Sequence, residues 1–249
     1  MLEICCFNLQ SALIAQHAGA DRIELCADAA SGGTTPSFGV IKTAREKLHI
    51  PLYPIIRPRA GDFLFSDEEF EIMLNDIALC KQIGCDGVVI GILQQDGSID
   101  KKRCSKLVQF AYPMGVTFHR AFDWTVDPHQ AMEEILEIGC ERILTSGQQP
   151  SALEGSELIH ELILQAHDRI IIMPGSGVRT ANIIELAEKT KATEFHTSAR
   201  TQIHSNMQFI NQNMREDLSS VIADENEIKN IIELLSSHHA STDLQQSNA

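Results

Sequence analysis

The chain has 249 residues, of which 43% are hydrophobic and 22% charged, a composition typical of a globular protein with a substantial core. Its formal net charge of −14 has the wrong sign for binding a phosphate backbone or an anionic bilayer, so we expect no nucleic-acid or membrane partner. No apolar run approaches the roughly 20 residues that span a bilayer. The first segment, MLEICCFNLQ, has neither a basic leader nor a cleavage site. We therefore expect a cytoplasmic protein whose seven cysteines are free thiols.

Apolar segments alternate with segments of helical periodicity along the chain. In chain order, the apolar segments are LEICC, RIELC, PLYPIIRPR, CDGVVIG, GVTFHRAFD, ERILTSG, RIIIMPGSG and EFHTSAR. Such strands, separated by helices, predict a parallel sheet covered on both faces. Eight units of this kind predict a single (β/α)8 TIM barrel, an α/β fold. An open doubly wound sheet is the alternative, but the glycine-rich fingerprint expected after its first strand is missing from LEICCFNLQ.

The segment after the last strand predicts a closing helix. In ADENEIKNIIELL, Asp224 and Glu227 have the spacing of a capping box at the start of that helix. The barrel domain is predicted to cover residues 1–237, and the polar residues 238–249 predict a frayed tail.

Polar side chains occur where the predicted strands end. In a barrel of this kind the active site lies at the carboxyl ends of the strands, where inward side chains meet. A single polar residue there is typical of a satisfied barrel residue, but polar groups on most strands favour a functional site. The candidate catalytic residues are Glu24, Arg57, Arg59, His119, Asp123 and His196.

The first and second predicted strands carry the same E-x-C pattern. Glu3 and Cys5 on the first strand repeat Glu24 and Cys26 on the second, and neighbouring strands lie about 4.8 Å apart. We expect the two thiols to face each other roughly 4 Å apart, with Cys6 pointing outward. Two thiolates suit Cu(I) better than Zn²⁺, which prefers four ligands. The alternative is that both cysteines pack as small hydrophobic residues.

The remaining candidates predict chemistry on an anion. Arg57 and Arg59, separated by a rigid proline, can clamp a carboxylate or phosphate, or can neutralise Glu24. With Arg120, they predict a locally positive barrel mouth. His119 can act as a general acid or base, oriented by Asp123.

Two glycine-containing loops predict a phosphate or other anion site. Ser146 and Gly147 follow the sixth strand, and Gly175, Ser176 and Gly177 follow the seventh. Barrel enzymes often bind phosphate at backbone N–H groups in this part of the fold. The same glycines also suit an ordinary tight turn between a strand and a helix.

Several long motifs together resemble the CutC family. They are RIELCADAASGGTTPSFG, IIRPRAGDFLFSDEEFE, GVVIGILQQDGSID, TFHRAFD, RILTSGQ and EFHTSAR, and the resemblance extends from Leu2 to about Asn211. It implies a TIM barrel, a cytoplasmic location, a role in copper handling, and self-association, from which we expect a homo-oligomer, a dimer in the first instance. It also places Cys5 and Cys26 at the positions proposed for Cu(I). Ile210 stands where the family usually has an arginine.

Two functions therefore follow from the sequence. The first is a cytoplasmic copper homeostasis protein that holds Cu(I) between Cys5 and Cys26. The second is a TIM-barrel enzyme, a lyase, isomerase or hydrolase, acting on a small anionic metabolite, phosphorylated or not, with Glu24 as acid, base or, alternatively, Mg²⁺ ligand.

Overall fold

A computed structural model describes residues 1–211 and 213–246 of the chain, and for His239 and 241–246 only the backbone. The predicted TIM barrel is confirmed: eight parallel strands alternate with helices. The strands are β1 Leu2–Cys6, β2 Arg22–Leu25, β3 Leu52–Pro54, β4 Gly87–Ile90, β5 Gly115–Phe118, β6 Arg142–Thr145, β7 Ile171–Pro174 and β8 Phe195–Thr197. The helices are α1 Leu9–Ala18, α2 Phe38–Lys47, α3 Asp67–Ile83, α4 Lys101–Ala111, α5 Pro128–Glu137, α6 Ser156–Ala166, α7 Ile183–Thr190 and α8 Glu225–Gln246.

Two four-stranded parallel sheets make up the barrel wall. One has the strand order β3-β2-β1-β8 and the other β4-β5-β6-β7. They join where Ile55, just past β3, pairs with Val89 of β4, and where β7 lies beside β8. The wall therefore closes, and the carboxyl ends of all the strands meet at one end of the barrel.

The helix ends follow from local sequence signals. Ser66 accepts a hydrogen bond from the Glu69 N–H while the Glu69 carboxylate accepts one from the Ser66 N–H, a complete capping box at the start of α3. Gly19 and Gly84 end α1 and α3 with φ of 96° and 84°, in the left-handed region that glycine adopts without strain. The glycine before β2 and β4 in the repeated motif thus serves to stop a helix.

The apolar core has two parts. The larger lies between the strands and the surrounding helices and includes Cys6. The smaller lies inside the barrel and consists of Cys5, Cys26, Tyr53, Ile55 and Val89, with Phe7 packed against it. Cys5 and Cys6 are therefore on opposite faces of β1, as strand alternation requires.

Charged side chains fill the barrel interior near the amino ends of the strands. The buried Arg22 guanidinium contacts Glu3 and donates to Glu194 at 2.7 Å, and Arg142 donates to the same Glu194 oxygen at 2.9 Å. Both guanidinium groups lie over the ring of Tyr53. This network closes the bottom of the barrel with fully paired charges.

The C-terminal segment departs from the prediction in two ways. An antiparallel hairpin, β9 Arg200–Ile203 and β10 Ser220–Ala223, precedes the last helix. Asp224 caps α8 by accepting from the N–H groups of Asn226 and Glu227, but the Glu227 carboxylate binds Thr180 instead. The predicted reciprocal capping box is therefore wrong.

The closing helix extends past the predicted domain boundary. It continues through Gln246 and so covers most of the predicted tail, while 247–249 lie outside the described residues. Among the described residues, no helix combines the length and apolarity needed to cross a membrane.

Candidate functional site

The two thiols predicted to face each other do so. Cys5 on β1 and Cys26 directly after β2 have their sulfur atoms 3.6 Å apart, which confirms the expected geometry. A carboxylate oxygen of Glu24 joins them, and all three potential ligand atoms lie within 4.8 Å of one another. Gly33, with φ of 105°, covers this group: a Cβ there would stand 3.2 Å from the Cys26 sulfur. The loop after β2 needs glycine at that position in order to pass over the thiol.

Burial keeps both thiols protonated. The hydrogen bond with Cys26 and removal from water raise the pKa of Cys5 well above its usual value, and burial raises the pKa of Cys26 to about 12. A metal ion entering this site must displace those protons, because the thiolate is the metal ligand.

His196 on β8 lies between two buried carboxylates. Its Nδ1 is 2.7 Å from Glu3 Oε1 and its Nε2 is 3.7 Å from Glu24 Oε2. Burial alone would lower the pKa of His196, but its hydrogen bonds with Cys5 and Glu3 raise it well above its usual value. His196 therefore places a positive charge beside the thiol pair.

A cavity of about 310 Å³ opens at the carboxyl ends of the strands. Of the predicted site residues, those that line it are Cys5, Glu24, Arg57, His119, His196, Ser176 and Gly177. Cys26 lies behind the lining and is 1% exposed. Glu24 is the one carboxylate among the lining residues, and burial raises its pKa. Seven of the thirteen candidate residues therefore meet at one cavity.

Arg57 organises the loops of the cavity wall. Its guanidinium donates to the carbonyl oxygens of Ser31, Gly33 and Gly61 at 2.7–2.9 Å and lies over the ring of Phe63. Its Nε is buried and has no partner within the described part of the chain. The prediction that Arg57 neutralises Glu24 is wrong, because these carbonyl groups hold the guanidinium.

Arg59 does not reach the cavity. It pairs with Asp62 at 2.9 Å and Glu69 at 2.6 Å and packs over Phe65, next to the start of α3. The predicted clamp of Arg57 and Arg59 is therefore not formed, since two acids already neutralise Arg59. Arg120 does line the cavity, as predicted.

His119 has a role different from the predicted acid or base. Its Nδ1 accepts the Ala121 N–H at 3.1 Å, so in the neutral ring the proton is on Nε2. Burial and the charge of Arg57 lower the pKa of His119 to about 3, which keeps the ring neutral. Nε2 is buried and has no partner among the described residues. His119 therefore lines the cavity and carries one buried, unsatisfied N–H donor.

Asp123 does not orient His119. Its carboxylate accepts from the Thr145 hydroxyl at 2.5 Å, from the Ser146 N–H at 3.0 Å and from Arg120 at 2.7 Å. It ties the segment after β5 to the end of β6. The predicted pairing with His119 is wrong because these donors occupy both carboxylate oxygens.

Of the two loops predicted to bind an anion, only the second reaches the cavity. The Ser146 hydroxyl donates to Gln149 O at 2.6 Å and the Gly147 N–H donates to Thr145 Oγ1 at 2.9 Å, so these groups are used internally. Gly175 pairs with β6 through its N–H, 2.9 Å from Thr145 O. Ser176 and Gly177 remain at the cavity.

Sequence reasoning missed two groups of residues. The sequence did not indicate the interior network of Arg22, Glu194 and Arg142, because a charged residue at the start of an apolar strand is normally interpreted as exposed. The cavity also contains Ser198 and Arg200, which follow the last residue of the eighth strand. Their position just past the strand ends was the available signal.

The chain is similar to known proteins over most of its length. The family model described as CutC family matches residues 1–201. A protein of Xylella fastidiosa whose name reads "family protein CutC" is 50% identical over 202 residues, covering 81% of this chain and 76% of that protein. The "Copper homeostasis protein cutC homolog" of Homo sapiens is 49% identical over 214 residues, covering 86% of this chain and 78% of the human protein.

Solved structures give the same result for the fold. The crystal structure of a CutC protein from Streptococcus agalactiae is 34% identical with a TM-score of 0.76, covering 80% of this chain and 98% of that one. Phosphoribosyl anthranilate isomerase from Thermotoga maritima has a TM-score of 0.58 at 17% identity, covering 93% of this chain and 96% of that one. The second similarity shows the shared barrel fold alone.

Proposed function

This chain belongs to the CutC family, and from that membership and the thiol pair we propose that it acts in copper homeostasis in the cytoplasm by binding Cu(I) between Cys5 and Cys26. The observation that carries the proposal is the 3.6 Å separation of the two sulfur atoms inside the barrel. Metal–sulfur bonds of about 2.3 Å allow one ion to contact both sulfurs at this distance in a bent arrangement.

The donor set favours Cu(I) over harder ions. Two thiols are soft ligands, which select Cu(I), whereas Mg²⁺ requires several oxygen ligands. Glu24 is the one carboxylate among the residues that line the cavity, so it supplies a third donor to a thiol-bound ion but not a magnesium site.

Anaerobic titration with Cu(I) in competition with a chromogenic chelator tests this function. We expect one ion per chain, and a loss of affinity of about a hundredfold or more in Cys5→Ser and in Cys26→Ser, because each substitution removes one of the two thiolates. Cys6→Ala is the matched control, since Cys6 lies on the same strand but faces the helices. Unchanged stoichiometric uptake in Cys26→Ser would rule the site out.

A second function, catalysis on a small anionic metabolite, is favoured by His119. A buried N–H donor without a partner, in a cavity with one carboxylate, matches a site that polarises a ligand oxygen at His119 and moves a proton at Glu24. Incubating the protein in D₂O with small phosphorylated hydroxy-carbonyl compounds and following deuterium incorporation by NMR tests this. We expect exchange that Glu24→Gln abolishes, and exchange that persists in Glu24→Gln would contradict the assignment.

A further inference from the structure

We propose that the part of the cavity next to β7 and β8 is a phosphate subsite, formed by Arg179, Arg200 and the backbone N–H groups of Gly177, Val178 and Ser198, which takes the phosphate of a small phosphate monoester. The proposal deepens the second proposed function, whose cavity it shares. It requires neither turnover nor copper.

The charge distribution supports an anionic ligand in this cavity. Of the eleven arginines in the chain, seven form ion pairs within the described residues. The four without a carboxylate partner there are Arg57, Arg179, Arg200 and Arg215, and the first three line the cavity. In a chain with a net charge of −14, carboxylates are abundant, so unpaired arginines collected in one place favour an anion from outside.

Backbone donors at the same end of the cavity are also unused. In the described part of the chain, no acceptor takes the N–H of Gly177, Val178 or Ser198, although all three residues line the cavity. Arg179 and Arg200 flank them: Arg179 donates to Arg200 O at 3.2 Å and Arg200 to Ala29 O at 3.1 Å, each leaving further guanidinium N–H groups. Several N–H donors and two cations match the three acceptor oxygens of a phosphate group.

The loop that carries the Gly177 and Val178 donors is held in place from three directions. The Glu227 carboxylate of α8 accepts from Thr180 N–H at 2.8 Å and from its hydroxyl at 2.9 Å. The Asn182 side chain donates to Gly177 O and accepts from Arg179 N–H, both at 2.8 Å. The Thr197 hydroxyl donates to Val178 O at 2.7 Å. The donors are therefore preorganised, which lowers the entropic cost of binding.

His119 indicates which group the ligand carries in addition to its phosphate. This side chain is 3% exposed and lines the same cavity on the β5 side, and its Nε2–H is buried without a partner among the described residues. A ligand that satisfies both ends carries a phosphate group and, a few atoms away, a carbonyl oxygen that accepts from His119. A cavity of about 310 Å³ is at the lower end of ligand pockets, which favours a short-chain compound.

Calorimetric titration and ³¹P NMR of the copper-free protein test the subsite. The probes are inorganic phosphate, sn-glycerol 3-phosphate and dihydroxyacetone phosphate, which differ in the presence of an ester chain and of a carbonyl group. We expect saturable binding of all three, weakened about tenfold in Arg179→Ala and Arg200→Ala. Arg215→Ala is the control, because Arg215 is exposed and lies outside the cavity lining, and its affinity is expected to match the parent protein.

His119→Gln separates the two ends of the ligand. We expect it to weaken dihydroxyacetone phosphate severalfold while leaving inorganic phosphate unchanged. The double variant Cys5→Ser, Cys26→Ser should retain phosphate binding, so failure of the copper function leaves this result intact. Absence of saturable phosphate binding, or equal affinity in Arg179→Ala, Arg200→Ala and the parent, overturns the proposal. Phosphate binding without deuterium exchange refutes only the catalytic function.

Discussion

The two ends of the barrel interior differ in whether their buried polar groups have partners. At the amino ends of the strands, Arg22 and Arg142 are paired with Glu3 and Glu194, and both pack on Tyr53. At the carboxyl ends, His119 Nε2 and Arg57 Nε are buried without partners in the described part of the chain. The third such atom is Oγ1 of Thr117, which is in register with Arg142, so two of the three unsatisfied atoms of the described residues belong to the end that carries the cavity, where a ligand can bind.

Two buried carboxylates show the same contrast. Burial raises the pKa of Glu3, but the hydrogen bond with His196 and the charge of Arg22 outweigh it and bring the pKa to about 2. For Glu24, burial prevails and the pKa is raised despite the charge of His196. Glu3 is therefore fixed as an anion in a structural network, whereas burial shifts Glu24 toward its protonated form.

Removing the cation of the paired end should have the largest effect on stability. Arg22→Met leaves Glu3 and Glu194 buried with less compensation, and we expect a loss of about 3–5 kcal/mol in the free energy of unfolding by urea denaturation. Arg169→Met is the control, since Arg169 pairs with Glu133 at the surface and its loss should change stability little. Equal losses in the two variants would show that the network is not what stabilises this end.

The second-largest loss of stability should come from acid, which protonates Glu3 at the paired end. The folded-state pKa of Glu3 is depressed to about 2, so its contribution is complete above an unfolded-state pKa near 4.5 and disappears as the pH falls toward 2. The shift corresponds to roughly 3 kcal/mol. Denaturation curves between pH 6 and pH 2 should show this decrease, and Glu3→Gln should reduce its slope. If Glu3→Gln showed the same slope as the parent protein, protonation of Glu3 would not be the cause of the decrease.

At the cavity end, a substitution that crowds His119 should reduce stability less than the changes at the paired end do. A Cβ at Gly91 would stand 2.4 Å from Cε1 and 2.5 Å from Nδ1 of His119, so Gly91→Ala must displace the ring. We expect a loss of about 1–3 kcal/mol and a changed imidazole resonance in NMR spectra. In Gly39→Ala nothing lies within 4 Å of the new methyl group, and stability should be unchanged or slightly higher. An unmoved His119 resonance in Gly91→Ala would contradict the close contact.

The sequence predicted the barrel and the thiol pair because both depend on short-range patterns. Strand alternation and neighbouring strands are enough to bring Cys5 and Cys26 together. The partners of Arg57, Asp123 and His119 depend on how the loops fold back. Backbone carbonyls hold Arg57, and a backbone N–H fixes the tautomer of His119. A sequence does not show which backbone groups a side chain will meet, so these roles were predicted incorrectly.

Arg59 provides the smallest and most direct test of the comparison, since two acids neutralise it although it is only two residues from Arg57. Its side chain is 38% exposed and bound to Asp62 and Glu69. We expect Arg59→Ala to cost less than about 1 kcal/mol, as for exposed ion pairs, and to leave the affinity for inorganic phosphate unchanged in the same calorimetric titration. If Arg59→Ala weakened phosphate binding as strongly as Arg179→Ala, the anion would lie over the third strand, and unpaired charge would no longer distinguish the functional end of the barrel from the structural one.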